Sequence, residues 1–249
     1  MQRWIGAGEE EMLLGEKTLF SLILPAYNEE KNLENAVRAA GKELEGADYE
    51  IIIAEDGSSD RTPEIAERLS KKFARVLWLH SDKKLGRGRA LCNAFSQARG
   101  KFVAYMDVDL ATNPGHLKQM LEELEKGTEV VVGSRYLHES NSKRAPIRLV
   151  LSKGFNSIVK IMLGSEISDH QCGFKGFRKS AALELCSLAR DSHWFWDTEV
   201  LVLAQRKGMK IVELPVEWHE DRKGETKINF RRDVLEMAAA AVKMRLRGS

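Results

Sequence analysis

The chain has 249 residues, 43% of them hydrophobic and 31% charged, with a formal net charge of +2. That length holds one large α/β domain or two small ones, and the composition is that of a globular chain with a buried core. The charge balance gives no global reason to expect nucleic acid as a partner, and no apolar run reaches the ~18 residues of a membrane span.

Residues 1–18 read as a loose lead-in or short helix, acidic at Glu9-Glu10-Glu11 and without a secretory signal. A strand is expected over 19–24, stopped by Pro25, with Asn28 placed to cap a helix over 29–45. Strand 49–55 ends at Asp56-Gly57-Ser58-Ser59-Asp60, and Thr62-Pro63 opens a helix over 62–73. Strand 75–80, a glycine-initiated helix 86–98, strand 101–106, helix 114–126 and strand 129–133 continue the alternation. Strand–helix units at this interval predict an α/β, doubly wound, mostly parallel sheet flanked by helices. In such sheets ligands bind beyond the carboxyl ends of the strands. The polar residues gather there: PAYNE after the first strand, EDGSSD after the second, DVD after the fourth and GSR after the fifth.

The second half reads as a basic, apolar helix over 145–163, a short strand or turn over 171–178, and a helix over about 180–188. His193 to Glu199 then runs into a helix ending near Lys207. A strand over 209–218 is broken by Pro215 and so belongs at an edge. A loop over 224–229 precedes a basic amphipathic helix over 231–249, which leaves 19–230 as the main domain. Three widely spaced cysteines, Cys92, Cys172 and Cys186, form no CxxC and no even framework. They are expected to be buried, unpaired side chains of a reducing compartment.

The chemistry centres on KFVAYMDVDLAT, residues 101–112. Alternate side chains of an extended strand share a face, so Asp107 and Asp109 point the same way. Two carboxylates side by side are costly without a cation, and Mg²⁺ or Mn²⁺ suits such an oxygen site. The plainer alternative for Asp-x-Asp is a solvated turn before a helix start at Thr112-Asn113-Pro114.

Taken with PAYNE, EDGSSDRT and GSR, this stretch resembles the nucleotide-sugar domain of family 2 inverting glycosyltransferases, which have the GT-A fold. RLVLSKG from Arg148, QCGFKGFR from Gln171, WFWDTEVLVLAQRKGMKIVELPVEW from Trp194 and GETKIN from Gly224 narrow the resemblance. Together they are similar to polyprenyl-phosphate hexosyl synthases, the dolichyl-phosphate β-glucosyltransferases and mannose synthases. The resemblance spans about residues 19–235, in a single domain whose C-terminal half faces the acceptor. It implies that Pro25, Ala26, Tyr27, Glu29 and Asp56 line the nucleotide site. It implies that Asp107 and Asp109 hold Mg²⁺ or Mn²⁺ against the diphosphate, and that Lys227, with Arg222 nearby, closes over it. Arg135, Arg148 and Ser152 fall on its acceptor-phosphate positions, chemistry that suits a guanidinium fork and a hydroxyl donor. Asp197 falls in the catalytic region, as a base or as a residue that orients the donor sugar or a cation, and Glu199 is placed to face the same pocket. Ala111 stands where the mannose synthases tend to have Gln, so the DVDLAT form leans toward UDP-glucose over GDP-mannose or UDP-N-acetylglucosamine.

The implied function is transfer of a hexose from a nucleotide sugar to a polyprenyl (dolichyl) phosphate. A soluble hydroxyl or phosphorylated acceptor is the alternative within enzymes, and a non-catalytic nucleotide-sugar-binding protein the alternative outside them. Residues 141–160 carry five Lys/Arg and no Asp/Glu, and residues 222–249 carry eight against three. This asymmetry predicts peripheral docking of 145–163 and 231–247 on the cytoplasmic face of a membrane. His193, Trp194 and Trp196 are expected as core or interface aromatics, and His170 and His219 as structural.

Overall fold

A computed structural model describes residues 3–5, 19–143, 146–219 and 230–247. Its first half alternates as the sequence predicts. Strands β2 (Phe20–Ala26), β3 (Tyr49–Asp56), β4 (Val76–Ser81) and β5 (Phe102–Met106) are separated by helices α1 (Leu33–Glu43), α2 (Thr62–Lys72) and α3 (Arg87–Gln97). Helix α4 (His116–Glu125) and β6 (Val130–Ser134) follow, then the two-residue strand β7 (Ser142–Lys143) and α5 (Pro146–Leu163). The chain continues through β8 (Phe174–Arg178), α6 (Lys179–Leu188), α7 (Trp196–Arg206), β9 (Ile211–Pro215), β10 (Trp218–His219) and α8 (Phe230–Leu246).

The main sheet has eight strands, counting β1 (Arg3–Ile5), in the order β1-β4-β3-β2-β5-β8-β6-β9. The run β4-β3-β2-β5 is parallel, as is the pair β6 and β9. Two departures from the expected pattern follow from pairing that local periodicity does not encode. The stretch read as a strand or turn at 171–178 is β8, which inserts antiparallel between β5 and β6. Part of the expected lead-in, Arg3–Ile5, adds an antiparallel edge strand beside β4. The expected edge strand at 209–218 is β9, on the far edge of the sheet beside β6.

Strand alternation divides the core into two layers. Leu22, Leu24, Ile51 and Ile53 pack under α1, α2 and α4, with Leu33, Val37, Leu69 and Leu117. Ile23, Ile52 and Leu79 pack on the other face with Leu91 and Phe95 of α3, Leu185 of α6 and Val200 of α7. A third cluster joins α5, α7 and α8 through Phe155, Val159, Val202, Ala241 and Met244. The disposition of the cysteines corrects the expectation of unpaired thiols. Cys92 of α3 and Cys186 of α6 form a disulfide with a Cα–Cα distance of 5.6 Å, and Cys172 is free and buried. A separation of 94 residues hides that pairing from the sequence.

Candidate active site

The parallel run brings the ends of β2, β3 and β5 together on one edge, and the loops beyond them are stitched to each other. Asn28 does not cap a helix as expected. It takes a left-handed backbone, φ 53°, and its Oδ1 accepts the Ser59 amide at 2.8 Å. The Glu30 amide donates to Asp60 Oδ2 at 3.1 Å and the Glu29 amide to Thr62 Oγ1 at 2.7 Å. The first helix therefore starts later, at Leu33. Pro25 and Ala26 close β2 beside Ala54 and Glu55, which sets Tyr27 at the rim with Lys84 Nζ 3.7 Å above its ring. Asp56 is buried, and its two oxygens accept the Leu85 and Gly86 amides at 2.6 and 3.0 Å. Burial raises its pKa against the pull of those amides. Asp56 thus fixes the turn that opens α3. Gly86 has φ 99°, and a Cβ there would strike Ser192 and His193. Only glycine fits that turn.

Beyond β5, Asp107 and Asp109 occupy the predicted edge. The Asp107 amide donates to the Gly173 carbonyl at 3.0 Å, and the Asp107 carboxylate lies where a Cβ on residue 173 would stand. The turn continues through Leu110, a non-glycine residue with a left-handed φ of 56°. Such a conformation costs a bulky residue about 1–2 kcal/mol, strain of the kind that gathers at functional sites. Asp109 Oδ1 accepts the Ala111 amide at 3.0 Å. Loss of surrounding water, the charge of Asp107 and that of Glu29 push the Asp109 pKa up to about 6. Among the described residues Asp109 has no salt-bridge partner, whereas Asp107 is paired with Arg87.

Three residues that the sequence reading passed over complete the site. Arg87, the first residue of α3, donates from Nη2 to Asp107 Oδ1 at 2.6 Å and from Nε to Asp197 Oδ2 at 3.1 Å. Its guanidinium carbon lies 5.3 Å from the Tyr105 ring centroid and 5.7 Å from that of Trp194. Lys175, fully buried, donates to Asp197 Oδ1 at 2.5 Å, to Tyr105 Oη at 2.9 Å and to the Cys172 carbonyl at 2.9 Å. The Tyr105 hydroxyl also donates to Asp197 Oδ1. Burial alone would raise the Asp197 pKa, but Lys175 and Arg87 outweigh it and hold the carboxyl below its ordinary value. A carboxylate so held is a poor proton acceptor and a good anchor. Glu199 does not face this group: its Oε2 accepts the Arg190 and Asp191 amides at 2.9 and 2.8 Å. It falls two residues after Asp197 on a helix, whose period turns it away. Arg87 could have been suspected from GRGR at a helix start; nothing local marks Lys175 as buried.

The expected acceptor residues form a neighbouring group. Arg135 is buried, and its fork is taken by Asp169 through Nε at 2.7 Å and Nη2 at 2.8 Å. Ser152 Oγ lies 2.6 Å from the Tyr136 hydroxyl, and the Arg135 guanidinium carbon stands 6.0 Å from the Tyr136 ring centroid. The structure thus brings Arg135 and Ser152 together through Tyr136. The Arg148 side chain, Arg222 and Lys227 lie outside the described residues. One segment touches both groups: Asp169 clamps Arg135, Gly173 backs Asp107, and Lys175 pairs with Asp197.

Two carboxylates with hard oxygen donors, crowded, charged and open at the strand end, fit Mg²⁺ or Mn²⁺ completed by substrate phosphates. The described residues hold no cluster of three or more His, Cys, Asp or Glu suited to a metal, so protein atoms alone do not build a closed cage there.

Comparison with known proteins gives the chain's family and fold. The description "Glycosyl transferase family 2" matches residues 21–186. The glycosyltransferase AglD of Haloferax volcanii is 45% identical over 224 residues, 88% of this chain, and the chain spans 36% of that relative's length. A dolichyl-phosphate beta-glucosyltransferase of Trichomonas vaginalis is 34% identical over 236 residues, covering 90% of this chain and 72% of the relative. Among solved structures, glucosyl-3-phosphoglycerate synthase of Mycobacterium tuberculosis, in complex with Mn²⁺, UDP and glucosyl-3-phosphoglycerate, superposes with a TM-score of 0.66. The identity is 18%, over 92% of this chain and 80% of that one. The shared architecture is the GT-A fold.

Proposed function

This chain belongs to glycosyltransferase family 2, and from that premise we propose that it moves a hexose, with inversion, from a nucleotide sugar to a polyprenyl phosphate. UDP-glucose is the favoured donor, in keeping with the DVDLAT form and with the glucosyltransferase relative. The observation that carries the reading is residues 169–175. One short segment supports the acidic edge through Gly173 and Lys175 and the Arg135–Tyr136–Ser152 group through Asp169, so donor and acceptor sites would lie side by side.

In this reading Pro25, Ala26, Tyr27, Glu29 and Asp56 receive the nucleoside, and Lys227 closes over the diphosphate. Asp107 and Asp109 hold a divalent cation, which when bound supplies Lewis-acid stabilisation of the leaving diphosphate. Arg135, Arg148 and Ser152 hold the acceptor phosphate, with Asp169 fixing the angle of Arg135. A phosphate oxygen attacks the anomeric carbon as the bond to the diphosphate oxygen breaks on the opposite face. A phosphate monoester is already ionised near neutral pH, its second pKa being about 6, so the attack needs no general base. Asp197 accordingly orients Arg87 and Lys175 instead of taking a proton.

The test is turnover with Mg²⁺ or Mn²⁺ and a polyprenyl phosphate, offering UDP-glucose, UDP-N-acetylglucosamine and GDP-mannose in parallel. We expect a glucosyl lipid product that disappears with EDTA and with Asp109→Ala. Nucleotide release without a lipid product would move the acceptor to a soluble phosphorylated or hydroxyl compound. No turnover of any donor would leave a binding protein.

A further inference from the structure

The free enzyme carries its own cation on the acidic pair. Arg87 Nη2 lies 2.6 Å from Asp107 Oδ1, an oxygen that a metal on Asp107 and Asp109 would need. Its other contact is of a different kind. Nε meets Asp197 Oδ2 at 3.1 Å, on a carboxylate that Lys175 and Tyr105 also hold through Oδ1. The two ends also differ in exposure: the Asp107 side chain is 41% accessible, that of Asp197 5% and that of Arg87 15%. Tyr105 and Trp194 flank the guanidinium. Arg87 is thus anchored through Nε on the buried side, and its terminal nitrogens reach the open edge where a diphosphate would arrive. Asp109, by contrast, has the Ala111 amide as its hydrogen-bond donor and no salt bridge among the described residues.

We propose that Arg87 is an exchangeable counter-ion: it occupies the cation position on Asp107 in the free enzyme and releases that oxygen to the metal when a nucleoside diphosphate offers its fork a new anion. This rests on the reading of Asp107 and Asp109 as metal ligands. The chemistry suits the exchange, because a guanidinium binds phosphate oxygens as readily as carboxylate and carries its charge at every working pH. Asp197 keeps Nε in place throughout, so the movement is a change of partner at Nη2 and not a withdrawal of the side chain. Metal and nucleotide would then bind cooperatively, because each removes an obstacle to the other, and such coupling must be reciprocal.

The experiment measures Mn²⁺ binding by electron paramagnetic resonance of the free ion and by calorimetry, each with and without UDP, with no turnover involved. For the wild type we expect Mn²⁺ to bind roughly tenfold tighter with UDP than without, within the usual range of site coupling. Arg87→Gln should bind Mn²⁺ alone more tightly than the wild type, by about fivefold or more, and should lose most of the enhancement by UDP. Arg87→Lys keeps the charge but cannot span both carboxylates, so it too should bind Mn²⁺ alone more tightly, and it supplies the answer if the glutamine variant fails to fold. Simple loss of a nearby positive charge would tighten Mn²⁺ binding equally with and without UDP; that result overturns the proposal. So does Mn²⁺ affinity in both variants no higher than in the wild type. Equal Mn²⁺ binding by the wild type and Asp109→Ala would instead remove the metal site itself.

Discussion

His170 shows how burial decides what a residue can do. Its Nε2 lies 2.8 Å from Ser165 Oγ and its Nδ1 2.7 Å from Asn156 Oδ1, and it is fully buried beside Asp169. The amide oxygen can only accept, so Nδ1 carries the proton and Nε2 accepts from the serine. Burial, opposed by Asp169 and reinforced by Lys175 and Lys160, lowers its pKa from 6.5 to about 4. The unfolded chain therefore takes a proton below pH 6.5 that the fold refuses until about pH 4, and stability falls as pH drops through that window. Between pH 7 and pH 5 the loss is about 2 kcal/mol. Denaturant titration at the two pH values should show it, and His170→Gln should flatten the difference; an unchanged slope would mean that His170 titrates normally. The structural role expected of this histidine is what its contacts describe, and both it and buried Lys175 also depend on distant partners, Asn156 for the one and Tyr105 and Asp197 for the other.

At the scale of elements, α3 is the piece whose position matters most. It begins at Gly86 on the Asp56 carboxylate, carries Arg87 to Asp107, and is joined to α6 by the Cys92–Cys186 disulfide. Closing a loop with a 94-residue separation removes much chain entropy from the unfolded state, in the range of about 2–4 kcal/mol. Reduction by dithiothreitol should lower the thermal midpoint by roughly 5–10 °C for a chain of this size. Cys92→Ser with Cys186→Ser should show the same midpoint with and without reductant. A midpoint of the wild type that ignores the reductant would mean the bond contributes nothing to stability.

Over the whole molecule, α5 contributes Ser152 to the Arg135–Tyr136 group and packs with α8 through the Phe155–Ala241–Met244 cluster. No helix among the described residues is long and apolar enough to cross a membrane. Outward on these two helices stand Val150 at 66% exposure, Ile161 at 84% and Leu246 at 81%, alongside the exposed cations Lys153, Lys160, Lys243 and Arg245. Exposed apolar side chains among cations suit an anionic lipid surface, and Ser152 on α5 would then bring the proposed acceptor phosphate site toward it. In flotation, the protein should rise with vesicles containing about one-third phosphatidylserine and stay down with neutral ones, and Ile161→Glu with Leu246→Glu should weaken the association. Flotation indifferent to anionic lipid and to both substitutions would exclude this surface.

The sequence by itself determined the alternation of β2 to β6 with their helices, because a period of two in the strands and of 3.6 in the helices is written in neighbouring residues. It also pointed to the edge on which the candidate site is proposed, since parallel strands place their carboxyl ends together and Tyr27, Asp56 and Asp107 follow or close those strands. Only the tertiary structure decided what those groups touch. The antiparallel insertion of β8 puts Gly173 behind Asp107 and Lys175 against Asp197, contacts with a partner 66 residues before the glycine and 22 after the lysine in chain order. The pairing of Arg87 with Asp197 spans 110 residues, and that of the two cysteines 94. Charges and thiols so far apart carry no local pattern. The charges pair because the sheet order brings β5, β8 and the starts of α3 and α7 to one place, where burial leaves each charge stable only beside its opposite, and the thiols pair because α3 and α6 pack side by side on the same face of the sheet.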